Sequence, residues 1–82
     1  MELEDTIELM KSSDYKEKFK AEYLQTKIRY TELHIMLAKL KAGQLDFTSK
    51  FYKALLMEQK RHMGEYLRCL ESRAAFENIE LD

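Results

Sequence analysis

Two mainly apolar stripes with helical spacing run along this chain, and a single glycine-centred break separates them. The first stripe recurs every three or four residues through Tyr15, Phe19, Tyr23, Thr26, Tyr30, Leu33, Leu37 and Leu40. The second has the same spacing through Tyr52, Leu56, Gln59, Met63, Tyr66, Leu70 and Arg73. This period is typical of amphipathic α-helices. We therefore predict an all-α fold in which two long helices form an antiparallel hairpin.

Composition and capping signals support the same fold. Proline is absent, the chain contains 2 glycines, and strong helix formers are plentiful. Asp14 followed by Glu17 resembles a capping box at the start of the first long helix, and Gly43 can take the left-handed conformation that ends it. We predict one domain, residues 1–82, with a short helix at 2–11, a long helix at 14–42, a loop at 43–48, a long helix at 49–75 and a tail at 76–82.

The apolar surface of this chain exceeds what one hairpin can cover. A chain of 82 residues has room for only a thin core, yet 45% of its residues are hydrophobic. A second apolar strip widens the apolar face of the first long helix, so we predict a homo-oligomer. Gly64, inside the second helix, permits close approach by another helix or a ligand. The residues predicted at the oligomer interface are Leu24, Ile28, Ile35 and Gly64.

The charges are distributed unevenly, although the net charge is −1. Residues 1–14 and 69–82 are acidic, whereas residues 15–30 and 50–68 each carry a net charge of +3. One interpretation is ordinary solvated helix surface with Glu–Lys pairs. The other is a concave basic site for a phosphate-bearing ligand, flanked by acidic ends.

Cationic, aromatic and amide side chains beside the stripes are candidates for such a site. Cations bind phosphate, aromatic rings stack on bases, and amides hydrogen-bond to polar edges. A purely structural role is the alternative: Phe19 and Tyr23 fit the core, and Gln59 can fix helix register. The predicted ligand-binding residues are Tyr15, Lys18, Arg29, Gln59, Tyr66 and Arg73.

The sequence offers no recognisable catalytic or metal-binding motif. His34, His62 and Cys69 lack the spacing of metal ligands, and no nucleophile–base constellation or Gly-rich phosphate loop is present. We expect no catalytic residue, metal or cofactor, and therefore a binding protein rather than an enzyme. No apolar run is long enough for a signal peptide or a membrane span, so a cytoplasmic protein is expected. Nucleic acid is disfavoured as a partner because no recognised binding motif is present.

Two runs of residues resemble the helices of a family of small, poorly characterised helical-hairpin proteins from tailed bacteriophages. The first helix is matched by Asp14-Tyr15-Lys16-Glu17-Lys18-Phe19-Lys20-Ala21-Glu22-Tyr23, with Gln25, Arg29 and Leu33. The second is matched by Leu55-Leu56, Gln59, Met63, Tyr66-Leu67, Leu70, Arg73-Ala74 and Glu77. Members often carry proline in the interhelical connection, where this chain has Thr48-Ser49-Lys50.

This resemblance covers about residues 14–81 and implies a phage protein acting in the host bacterial cytoplasm, where small accessory phage proteins often antagonise host defence. The short-helix-plus-hairpin plan is also similar to phage sponge proteins, which assemble into oligomers and sequester nucleotide immune signals.

Together these observations favour an anti-defence protein that sequesters a phosphate-containing nucleotide signal without cleaving it. The signal expected is a cyclic ADP-ribose-type molecule or a cyclic oligonucleotide. The expected partners are further copies of the chain and this small ligand, with no membrane. The alternative is a helical protein–protein interaction module that inhibits a host factor or supports phage assembly through its exposed apolar strip.

Overall fold

The chain is built from helices throughout most of its length in this computed structural model, which describes residues 1–43 and 50–81. A 3₁₀ turn, Leu3–Thr6, leads into a short helix α1, Ile7–Lys11, and two long helices follow, α2, Tyr15–Lys41, and α3, Lys50–Glu77. α2 and α3 pack against each other, which confirms the prediction of an all-α fold with two long packed helices. Apart from Gly43, the predicted loop at 43–48 lies outside the described residues.

Local signals set the ends of α2. The carboxylate of Asp14, the N-cap, accepts a hydrogen bond from the backbone N–H of Lys16 at 2.8 Å. The predicted capping-box partner, Glu17, instead accepts from the hydroxyl of Ser12, whose oxygen accepts from the backbone N–H of Asp14. A hydroxyl relay therefore replaces the direct carboxylate-to-amide bond. At the other end, Gly43 has a φ of 73°, the left-handed conformation that the sequence predicted.

The segment after α3 folds back onto the core. Asn78 has a φ of 59°, and the backbone N–H of Ile79 donates to the carbonyl of Ala74 at 2.8 Å, which is the pattern of a Schellman motif. Ile79 is buried against Ala74, and the half-buried Leu81 packs on the same cluster. The predicted tail therefore begins as two residues of helix and then docks through its apolar side chains.

The core is a narrow seam between α2 and α3. Its larger cluster contains Phe19, Tyr23, Leu24, Leu67, Leu70, Ala74 and Ile79. A smaller cluster contains Leu33, Leu37 and Leu56. Between them, the ring of Tyr30 lies against Gly64. Because this contact is made within one chain, it accounts for Gly64 without a second subunit, whereas the sequence predicts an oligomer interface at this position.

The seam on α3 is rotated relative to the predicted stripe. Its buried residues are Leu56, Leu67, Leu70 and Ala74, whereas Gln59, Tyr66 and Arg73 are exposed. One residue corresponds to about 100° around a helix, so Leu67 and Ala74 take the places assigned to Tyr66 and Arg73. The physical reason is that leucine and alanine bury no polar group, whereas a phenol and a guanidinium keep their polar ends in water.

The N-terminal segment covers part of the strip that was predicted to face other subunits. Thr6 is fully buried, and its hydroxyl donates to the carbonyl of Leu3 and accepts from the Gln25 amide at 2.9 Å. Leu24, predicted at an oligomer interface, is instead buried within the chain, in a cluster against which Leu9 of α1 also packs. The N-terminal segment thus supplies some of the cover that the sequence analysis assigned to another copy.

Tyrosine–glutamate hydrogen bonds join α2 to α3 across the described part of the chain. They run from Tyr15 to Glu77, from Tyr23 to Glu71 and from Tyr66 to Glu22. Tyr23 is buried, and its hydroxyl lies 2.6 Å from the carboxylate of Glu71. Burial first, and then this hydrogen bond, raise the pKa of Tyr23 above its ordinary value of 10.0. The bond to Glu77 and the bond to Glu22 likewise raise the pKa values of Tyr15 and Tyr66.

We predict that the wild-type protein loses stability more steeply than Tyr23→Phe as the pH rises above about 10. Since the pKa of Tyr23 is raised in the folded state, its contribution is complete below the unfolded pKa and is lost as pH rises through the folded pKa. Phenylalanine cannot ionise and lacks the bond to Glu71, so the variant should be less stable near neutral pH by about 1 kcal/mol. Urea unfolding followed by circular dichroism measures both effects, and parallel pH profiles would contradict the prediction.

Candidate functional site

A groove with a volume of about 750 Å³ lies along one side of the α2–α3 seam. From α2 it is lined by Tyr30, His34, Leu37, Ala38 and Lys41. From α3 it is lined by Lys53, Met57, Lys60, Arg61, Gly64, Glu65 and Arg68. Spacings of three and four residues place these side chains on one face of each helix. We call this surface the basic groove, and its volume falls within the usual range for small-molecule sites.

The charges that line the basic groove are strongly unbalanced. The cations are Lys41, Lys53, Lys60, Arg61 and Arg68. Against them stands one lining carboxylate, Glu65, which pairs with Arg61 at 3.1 Å and is therefore already engaged by a cation. Since unlike charges attract, this excess of cations favours an anion as the ligand.

Helix spacing explains why the cations of α3 follow one another along the groove. Lys53, Lys60 and Arg68 are separated by seven and eight residues, which is about two helical turns in each case. Lys53 and Lys60 are half-buried, which is typical of lysines that pack the aliphatic stem on the protein and keep the ammonium group in water. The cationic row therefore extends over about 22 Å of α3 at 1.5 Å per residue.

Apolar and aromatic side chains also line the groove. Leu37 is buried at its base, Met57 is exposed at its wall, and Tyr30 is half-buried. The ammonium nitrogen of Lys60 lies 6.0 Å from the ring centroid of Tyr30, at the outer limit of a cation–π contact. The groove thus offers flat apolar surface next to several cations, which matches a ligand that carries both a ring and phosphate.

The six predicted ligand-binding residues lie outside the basic groove. Arg29 and Gln59 do come together, in a smaller groove of about 240 Å³ on the other side of the seam. Each of them precedes a residue of the basic groove by one position, which turns it about 100° away around its helix. Lys18 is exposed on α2. Of the six predicted residues, Arg29 and Gln59 are therefore the two that line a common groove.

Tyr15, Tyr66 and Arg73 contribute to the contact between α2 and α3. The guanidinium of Arg73 donates to the hydroxyl of Tyr15 at 2.7 Å and to Glu77 at 3.2 Å, and it lies 4.9 Å from the ring centroid of Phe19. The bond to Glu77 raises the pKa of Arg73. Because these polar groups already bind one another, the structure gives them a role in joining the helices.

A sequence signal for the basic groove exists in the charge pattern of α3. Residues 50–68 carry a net charge of +3, and the cations at 53, 60, 61 and 68 repeat with a period close to two helical turns. In the C-terminal half of α3, the predicted apolar stripe lies one residue too early in the sequence. It therefore contains Tyr66 and Arg73 instead of Leu67 and Ala74. The groove residues of α2, such as Tyr30 and His34, have no comparable signal, because their importance depends on what α3 places opposite them.

The fold and this groove define a small all-α protein with a cationic opening between two long helices. The sequence profile of the Sequestin family matches residues 13–76. The match covers most of the chain, which therefore belongs to the Sequestin family, and it includes both walls of the basic groove. The name of the family suggests the sequestering of a ligand. No curated protein and no solved structure shows significant similarity to the chain.

None of the helices in residues 1–43 and 50–81 has a stretch apolar enough to span a bilayer. Within the same residues, no cluster of His, Cys, Asp and Glu side chains has an arrangement that could hold a metal ion.

Proposed function

We propose that this protein binds a phosphate-containing nucleotide in the basic groove and sequesters it without cleaving it. The observation that carries the proposal is the set of five cations around an opening of about 750 Å³ that also contains an aromatic ring. Lysine and arginine form strong charge-assisted hydrogen bonds with phosphate oxygens. Membership of the Sequestin family supports the same role, since the family name denotes sequestration.

The length of the cationic row favours a ligand with more than one phosphate. A single phosphate occupies only a small part of a row that extends over about 22 Å. A cyclic oligonucleotide carries one phosphate for each nucleoside, and a cyclic ADP-ribose-type molecule carries two. Both classes also supply at least one flat ring for the aromatic side of the groove, and we propose these two classes as the ligand.

The chemistry of the groove lining favours binding over turnover. Hydrolysis requires a group that activates a nucleophile, usually as a general base. Among the lining residues, Glu65 is paired with Arg61, and His34 lies on the opposite helix among cations. By contrast, the groove contains several cations for binding phosphate. Phosphate binding, unlike hydrolysis, does not require a general base. On this basis the protein is not an enzyme.

The proposed biological role is anti-defence. A phage protein in the host bacterial cytoplasm that holds an immune nucleotide would keep that signal from its receptor. The resemblance of the two long helices to tailed-bacteriophage hairpin proteins supports this setting. Sequestration requires the protein in stoichiometric amounts and slow release of the ligand.

We predict that removing two cations of the basic groove weakens nucleotide binding strongly. Isothermal titration calorimetry should compare the wild type with a Lys60→Gln, Arg68→Gln double variant, using ADP-ribose, cyclic ADP-ribose, cyclic di-AMP and cyclic di-GMP. Hydrogen bonds to charged groups contribute on the order of 1.5–3 kcal/mol each, so the double variant should bind at least about 100-fold more weakly. Both side chains reach solvent, and their loss should leave the helical circular dichroism spectrum unchanged.

Arg29→Gln is the matched control, because it removes a cation from the smaller groove on the other side of the seam. It should bind as the wild type does, and a loss equal to that of the double variant would place the site in the smaller groove. The ligand should also be recovered intact after heat denaturation, as measured by mass spectrometry. A wild-type protein that binds none of the four nucleotides, or that releases a cleaved product, contradicts the proposal.

We also propose that copies of the chain associate. Phe51 is 75% exposed, Ile35 is 49% exposed and Leu55 is 46% exposed, and burying them against another copy removes apolar surface from water. Ile28, also predicted at the interface, is half-buried and retains some exposed surface. The same exposed side chains favour a second candidate function, in which the hairpin docks onto a host factor or a phage component.

Analytical ultracentrifugation tests the association directly. We predict that the wild type sediments as a dimer or larger species at micromolar concentration, and that Ile35→Asp shifts it towards monomer because a carboxylate is costly to bury. Ser72→Asp introduces the same carboxylate at an exposed position of α3, and it should leave the sedimentation unchanged. A wild-type protein that is monomeric over this range would show that the exposed apolar side chains do not join copies of the chain.

A further inference from the structure

Tyr30 and Gly64 form a close contact between α2 and α3 inside the basic groove. A Cβ placed on Gly64 would lie 3.2 Å from Cε1 of Tyr30, 3.5 Å from its hydroxyl and 3.6 Å from Cζ. The outer edge of the ring therefore rests on the backbone of α3 where a side chain would otherwise stand. Glycine is unfavourable inside a helix. At this position, however, the missing side chain leaves the space in which the edge of the aromatic ring packs.

We propose that the ring of Tyr30, which packs against Gly64, is the platform on which a flat ring of the groove ligand stacks. This inference rests on the proposed function and deepens it, because it names the side chain that selects ring-bearing ligands. Tyr30 is half-buried, so packing holds its ring while part of its surface remains open to the groove that it lines. A fixed, partly exposed ring loses little conformational freedom when a base stacks on it.

The cations of α3 lie on both sides of this platform. Lys60 and Arg68 are four residues before and four residues after Gly64, which places each about one helical turn away on the same face. The ammonium of Lys60 already lies 6.0 Å from the centre of the Tyr30 ring. A ring stacked on Tyr30 therefore brings its attached phosphates within reach of a cation in either direction along the groove.

The other tyrosines that contact both long helices do not offer an equivalent surface. Tyr23 also lies under a cation, with Lys27 at 5.5 Å from its centroid, but Tyr23 is only 3% exposed and its hydroxyl is bonded to Glu71. Tyr15 and Tyr66 are exposed, yet they bond to carboxylates and lie outside the groove. Tyr30 differs from these three tyrosines in lining the basic groove while being only half-buried.

The test compares ligands that share phosphate but differ in having a ring. ADP-ribose and cyclic di-AMP carry adenine, whereas inorganic tripolyphosphate does not, and calorimetry with each probe separates stacking from charge. Tyr30→Leu keeps apolar bulk in the seam but removes the ring, so it should weaken binding of the adenine ligands by about tenfold or more. Its binding of tripolyphosphate should stay within about twofold of the wild type. Tyr30→Phe, which keeps the ring, should bind every probe as the wild type does.

Gly64→Ala provides a second, independent variant. It keeps the Tyr30 ring and favours helix, but its methyl group crowds the ring edge, so it should weaken only the adenine ligands, and by less than Tyr30→Leu. This variant carries the test if Tyr30→Leu fails to fold, as judged by circular dichroism.

The possible results distinguish the platform from the proposed function. Equal losses for adenine ligands and tripolyphosphate, or no loss for either, would overturn the platform and leave the charge-dependent site in place. Failure of the wild type to bind tripolyphosphate and all four of the nucleotides named for the proposed function would overturn that function and the platform with it.

Discussion

The contact between α2 and α3 is a single narrow seam, and the rest of the structure depends on it. It buries one side of each helix, and the N-terminal segment covers a further part of α2, so the remaining faces are open to solvent. At one end Leu70 and Ala74 fill the space between the helices, and tyrosine–glutamate bonds reinforce the contact there. Towards the other end the apolar cluster is smaller, and the flank of the seam becomes the basic groove.

This arrangement places the interhelical hydrogen bonds and the groove cations in different stretches of one pair of helices. The acidic residues of the C-terminal part of α3, Glu71 and Glu77, accept hydrogen bonds from tyrosines of α2. The cations of the earlier part, from Lys53 to Arg68, line the groove instead. The uneven charge of the sequence thus has a structural meaning, since its acidic end joins the helices while its basic stretch remains available to an anion. Gly64, with Tyr30 opposite it, lies within the basic stretch, between Lys60 and Arg68.

Patterns local to one helix predict this fold well, and patterns between helices do not. The two long helices, Asp14 as a cap and the left-handed Gly43 follow from spacing and side-chain chemistry alone. The rotation of α3 does not, because Tyr66 and Leu67 are adjacent and both are apolar enough for the seam, so only packing against α2 decides between them. For the same reason the sequence predicts a basic region in residues 50–68 but not the contact of Tyr30 with Gly64, which depends on how α3 is set against α2.

The location of the ligand is the central claim, and an amide ¹H–¹⁵N NMR titration with cyclic di-AMP and ADP-ribose tests it most directly. The account predicts that the largest shift changes fall on the walls of the basic groove, at His34, Lys60, Gly64 and Arg68. Shift changes centred on Arg29 and Gln59 would contradict it, and so would a spectrum that neither nucleotide alters.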